Sequence, residues 1–157
     1  MSTDSIRTQL AATLAWNDAH VGFDAAIDGI PVEQRGTRPP HVPYSPWQLL
    51  EHLRIAQHDI LDFCRNEDYE EMTWPADYWP PSPEPPDEHA WTESIRQYRE
   101  DRAALQRLAV DPSIDLTAKI PHGSGQTYLR ELLLVIDHNA YHVGELLVVR
   151  RLQGNWT

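Results

Sequence analysis

The chain has a single cysteine, Cys64, so it can form no internal disulfide and carries no CxxC redox pair. Positive charge is scarce: 13 Lys and Arg stand against 24 Asp and Glu, a formal charge of −11. That balance argues against nucleic acid, where Lys and Arg supply the affinity for phosphate, and against an anionic membrane surface. No convincing alternating strand pattern and no internal repeat is found. The opening MSTDSIRTQLAATLAWNDAH lacks a basic region followed by an unbroken apolar core, so no signal peptide is expected and the protein is expected in the cytoplasm. Its 157 residues are expected to form one domain over 1–157, able to bury about two-thirds of the unfolded surface.

What is present is helical periodicity. A first helix is expected from about Thr3 to Ile30, with Ile6, Leu10, Leu14, Val21 and Ala25 spaced by threes, fours and sevens. A second has a clear start in YSPWQ: Ser45 can cap it, Pro46 suits the first helical position, and Gln48 completes a capping box. Leu49, Leu53, Ala56, Ile60 and Cys64 then form an apolar stripe running to about Asn66. Residues 67–88 hold Pro75, Pro80, Pro81, Pro83, Pro85 and Pro86, a density that forbids a regular helix. The aromatics Trp74, Tyr78 and Trp79 among them suggest a connection packed over the body. Such a crossover lets its flanking helices run parallel as easily as antiparallel.

A third helix is expected from about Glu88 to Ala109, and DLTAKIPHGSGQ reads as a loop with a short extended piece. Thr127 then caps a fourth helix reaching about Leu152. The fold class is all-α, a four-helix bundle with a long Pro-rich crossover between the second and third helices. The fourth helix is apolar nearly all round, which places it at the bundle centre or against a partner chain.

Within that helix, LLLVIDHNAYHVGELLVV (residues 132–149) poses a solvation problem. It is about as long as a membrane span, but Asp137, His138, Asn139, His142 and Glu145 oppose insertion. Buried imidazoles and carboxylates cost free energy unless something pairs with them. His138 and His142 are four residues apart, hence about 40° of rotation and one turn. Their Cβ atoms should lie about 5–6 Å apart on one face, so both rings can reach one metal ion. Glu145 falls in the same stripe, between apolar shoulders at Leu134 and Val149. The pair alone is a weak signal, since histidines so spaced are more often surface or hydrogen-bonded residues. A third candidate, His52, borders the apolar stripe of the second helix and would point along a helix–helix seam. His58 lies about 240° around from it. His41 and His89 read as solvated, and His20 and His122 could line a pocket mouth. Cys64 reads as core packing.

The order W(x)3EH in the second helix, then DHNAYHVGEL and RRLQGNW at the end of the chain, resembles the DinB-like superfamily over essentially its whole length. The PHGSGQT loop is similar to that of some members. The resemblance implies a four-helix bundle in which His52, His138 and His142 hold a divalent metal, usually zinc or nickel, and frequently a homodimer. It also implies a small-molecule substrate and, in some relatives, a low-molecular-weight thiol partner.

Three neutral histidines would leave a metal with open coordination, able to make a bound water or thiol nucleophilic. Glu145 is the candidate catalytic residue, as general base or as an extra ligand; the alternative is a structural pair with Arg150 or another arginine. Trp16, Trp47, Trp74, Trp79 and Tyr141 are candidate pocket walls. The leading expectation is a metal-dependent hydrolase or thiol S-transferase. The alternative is a non-enzymatic, stress-related binding or dimerisation protein whose metal, if any, is structural.

Overall fold

The computed structural model describes residues 3–157, and five α-helices follow one another along them. They are α1 (Thr3–Thr13), α2 (Phe23–Ile27), α3 (Pro46–Arg65), α4 (Glu88–Val110) and α5 (Tyr128–Leu152), with 3-10 turns at Val32–Gln34 and Ala76–Tyr78. Among the described residues there is no strand, and the extended piece expected before the last helix is one isolated bridge, Lys119 to Thr127.

The start of α3 follows from its cap. Ser45 is extended, its Oγ accepts from the Gln48 N–H at 3.2 Å, and Gln48 Oε1 accepts from the Ser45 N–H at 3.3 Å. The Ser45 hydroxyl also donates to the Pro83 carbonyl, tying the Pro-rich crossover to the head of the helix. Asp87 and Thr127 cap α4 and α5 in the same manner, through Ala90 N–H and Arg130 N–H.

Hydrogen bonds fix the register. Glu51 accepts from Ser94, Arg54 donates to Gln97, and His58 meets Asp101, three pairings each separated by 43 residues. A constant separation means that α3 and α4 run parallel, as the long crossover allows. His52 meets His142 while Gln57 meets Asn139, so α3 and α5 are antiparallel. α1 lies antiparallel on α4, with Arg7 donating to the Ala109, Asp111 and Ile114 carbonyls at its C-terminal end. A guanidinium there satisfies carbonyls that no intrahelical donor can reach.

The first helix is not the single element expected to Ile30. It stops at Thr13, and α2 begins only at Phe23. Asn17 and Asp18 compete for their own backbone and are poor helix formers, and Gly22 precedes the second start. The apolar spacing continued because the two pieces feed different halves of the core. Leu10 and Leu14 pack with Leu61, Leu105 and Leu132, whereas Phe23, Ile27 and Ile30 pack with Leu50, Trp91 and Leu146. Gly29, with φ of +68°, ends α2 in the left-handed region a glycine adopts freely.

A polar layer lies between these two apolar clusters. Gln57, 1% exposed, donates to the Tyr98 carbonyl at 2.8 Å and accepts from the Asn139 amide at 3.0 Å. It ties α3 to both neighbours.

Replacing Ser45 with alanine removes the cap acceptor and the strap to Pro83 together. Ser45→Ala is expected to lower stability by about 1–2 kcal/mol, read as a shift of the urea midpoint at unchanged slope.

Candidate metal centre

α3 and α5 bring three imidazoles together. His52 is 1% exposed and His142 is 9% exposed, with His138 one turn before it on α5. His52 Nε2 lies 3.1 Å from His142 Nε2 and 3.1 Å from His138 Nε2, and the three ligand nitrogens all fall within 4.8 Å of one another. Two nitrogens each bound at about 2.0–2.1 Å to one tetrahedral or octahedral ion are about 2.9–3.4 Å apart. The two short edges of this triangle already have that length.

The tautomers follow from the outer partners of the rings. His52 Nδ1 is 2.9 Å from the Tyr78 carbonyl, which can only accept, so Nδ1 carries the hydrogen. His142 Nδ1 donates likewise to Glu145 Oε2 at 2.7 Å. Each neutral ring therefore turns a bare Nε2 inward, and the 3.1 Å contact between His52 and His142 opposes two lone pairs. Such a contact is repulsive unless a cation sits between them. A proton is a poor candidate at neutral pH. Burial pushes both His52 and His142 down to about 4, helped by the neighbouring imidazoles, although the Tyr78 bond favours the charged form of His52. Burial also lowers His138. A divalent metal suits the donor set, since neutral imidazole nitrogen is a good ligand for zinc, nickel, copper or iron.

His138 is the least finished corner. Its Nδ1 and the Asn139 Oδ1 are the two buried side-chain polar atoms with no hydrogen-bond partner among the described residues. One is a donor once Nε2 is used for ligation, the other is an acceptor, and they sit on adjacent residues. Asn139 is itself held by Gln57, so the polar layer of the core continues into the site.

Glu145 does not pair with Arg150. The Arg150 guanidinium is buried elsewhere, donating to the Ala26 and Asp28 carbonyls and to Asn155, with its Cζ 4.6 Å from the Trp156 ring centroid. Glu145 instead stands behind His142, across the ring from Nε2. Burial lifts its carboxyl above the usual range, against the Tyr141 hydroxyl and His138, which favour the anion.

Of the expected aromatic walls, three surround the triad. Trp79 stacks on His52 with centroids 3.8 Å apart and planes 6° from parallel; Trp74 lies 6.4 Å from the same ring, and Tyr141 sits edge-on to His142 at 4.9 Å. Trp74 and Tyr141 are largely exposed and mark the open side. Trp47 is in the core near Trp91, and Trp16 borders a separate small cavity between α1 and α2. His58 bonds Asp101 and His122 donates to the Phe63 carbonyl, neither at the triad. Glu51 is bound to Arg54 and Ser94, and Asp137 is exposed. Cys64 is buried in the core, its thiol pushed up to about 12 by burial with Glu131 adding to the effect.

Sequence reasoning passed over Gln57 and the Tyr78 carbonyl. Gln57 carries a signal, a polar residue among buried neighbours on the apolar stripe. A main-chain carbonyl in a proline-rich crossover carries none.

Residues 15–146 match the family model of the DinB superfamily, and the chain belongs to that superfamily. No curated protein and no solved structure matches it.

The imidazoles are held neutral in the folded chain, while the unfolded chain takes up protons at about the ordinary value of 6.5. Stability of the metal-free protein is therefore expected to be intact above about 6.5 and to fall as pH drops towards about 4. Denaturant midpoints measured across that window should slope less steeply in His52→Gln than in the wild type. Equal slopes would contradict the assignment.

Proposed function

We propose that the chain is a metal-dependent enzyme that holds zinc or nickel through His52, His138 and His142 and acts on a small organic substrate, by hydrolysis or by transfer to a small thiol. The observation that carries this reading is the pair of bare Nε2 atoms 3.1 Å apart in a buried site. A bound divalent ion would supply Lewis acidity, lowering the pKa of a water or thiol at neutral pH. The chain's own residues do the rest. Tyr78 and Glu145 hold the outer protons of His52 and His142, which keeps each Nε2 free to ligate and fixes its direction.

Among the described residues no fourth His, Cys, Asp or Glu joins the cluster. Coordination is then left open for a substrate, which favours catalysis over a structural clasp. Trp79 fixes the His52 ring and excludes water from one side, while Trp74 and Tyr141 flank the approach. Glu145 works through His142 as a positioning residue in this arrangement.

A homodimer fits the outer face of α5, where Leu133, Tyr141, Val148 and Leu152 are each about half exposed or more. Sedimentation equilibrium should report a dimer that Tyr141→Glu weakens.

Loading the untagged protein with zinc or nickel should give about one ion per chain by elemental analysis, and His138→Ala should lose it. A wild type that stays metal-free after loading would overturn the reading. Glu145→Ala is expected to weaken metal affinity roughly 10–100-fold, and Glu145→Gln, which keeps an acceptor for His142, by less. Equal losses in the two variants would assign the carboxylate a different role.

A further inference from the structure

One face of α3 carries both a triad histidine and an acid. Asp59 lies seven residues beyond His52, close to two full turns and about 10 Å along the axis. A single residue of the crossover reaches both. Tyr78, at the end of the 3-10 turn, accepts at its carbonyl from His52 Nδ1 at 2.9 Å, and its hydroxyl donates to Asp59 Oδ2 at 2.6 Å. The Tyr69 hydroxyl donates to the other oxygen, Asp59 Oδ1, at 2.9 Å.

The need for such a tie shows in the crossover itself. Residues 73–77 are exposed and bond to one another: the Thr73 N–H donates to Asp77 Oδ2 at 2.8 Å, and the Asp77 N–H donates to the Thr73 carbonyl at 3.0 Å. After Tyr78 the chain is held by Trp79, whose ring stacks on Tyr44 with centroids 4.3 Å apart as well as on His52. Gln48 adds a bond to the Pro80 carbonyl at 3.4 Å. On the other side of the carbonyl, the phenol of Tyr78 itself ties the turn to α3. An ionised carboxylate can only accept, so both phenols meet Asp59 as donors. The two tyrosines differ in one respect. The Tyr78 main chain bonds a triad histidine, whereas the Tyr69 N–H donates to the Asn66 carbonyl at the far end of α3.

We propose that Asp59 is a positioning residue for His52 and acts through Tyr78. By seating the Tyr78 hydroxyl it sets the place of the Tyr78 carbonyl, which holds the Nδ1 hydrogen of His52 and so aims Nε2 at the other two imidazoles. The carboxylate itself stays outside the cluster of ligand atoms. The orientation of the ring stands on these bonds alone; its worth for ion binding rests on the metal-enzyme reading above.

The test compares Tyr78→Phe with Tyr69→Phe, each of which deletes one hydroxyl from the same carboxylate and keeps the ring. In the metal-free protein, long-range proton–nitrogen NMR should show His52 in its Nδ1–H form. That hydrogen should exchange with solvent faster in Tyr78→Phe and at the wild-type rate in Tyr69→Phe. Zinc affinity, measured by competition with a chromophoric chelator, should fall about tenfold in Tyr78→Phe, at the lower end for losing an outer partner, and hold in Tyr69→Phe. Asp59→Ala should lose as much as Tyr78→Phe, and the double variant should lose little more. Equal behaviour of the two phenylalanine variants, or additive losses in the double variant, would overturn the proposal. A wild type that takes up no zinc removes the metal reading, and the exchange rates then decide the role of Asp59 by themselves. Zinc uptake with equal affinity in every variant removes the role of Asp59 alone.

Discussion

Three imidazole lone pairs converge inside an apolar bundle, and much of the architecture serves to hold them there. Left alone, buried Nε2 atoms about one hydrogen-bond length apart repel one another, and each ring would rotate to find a donor. Two of the three cannot rotate, because the outer nitrogens of His52 and His142 are committed. The Tyr78 carbonyl fixes one ring and Glu145 another, while Trp79 lies flat on the first. The fold thus stabilises an arrangement of nitrogens that could hold a cation.

The polar layer extends this constraint into the core. Gln57 and Asn139 sit where two apolar clusters would otherwise merge, and they connect the Tyr98 carbonyl on α4 to the residue beside His138 on α5. A polar pair at that depth costs desolvation, which its hydrogen bonds offset in part, the Asn139 Oδ1 being left without a partner among the described residues. In return it fixes the axial register of three helices at the level of the site. Slippage of α5 by one turn would break the Gln57 pairing and separate His138 and His142 from His52 in the same movement.

Much of this was legible in the residues. YSPWQ dictates its own cap, and the His138–His142 spacing dictates a shared face, because both depend on neighbours within one helical turn. His52 was readable as the third corner from its border position on the α3 stripe. The break after Thr13 was not, since Leu14 and Val21 keep a helical rhythm while serving different halves of the core, and the exposed Ala25 keeps it while serving neither. The pairing of Glu145 with His142 rather than Arg150 was equally hidden. Both partners lie within a helical turn or two of Glu145, and the choice was made by α2, whose terminal carbonyls claim the guanidinium. Local periodicity reports which face is buried, not which distant chain end competes for a side chain.

The parallel arrangement of α3 and α4 has a bearing on assembly order. His52 is separated from His142 by 90 residues and from His138 by 86. The Tyr78 carbonyl that orients His52 arrives only when the crossover has closed over the bundle. Closing such long loops is entropically unfavourable until the packing they permit is in place. In a nascent chain the two α5 histidines can offer only a weak, two-point grip on an ion. The full three-point site comes into being with the finished topology, so ion capture there would report on completed folding rather than initiate it.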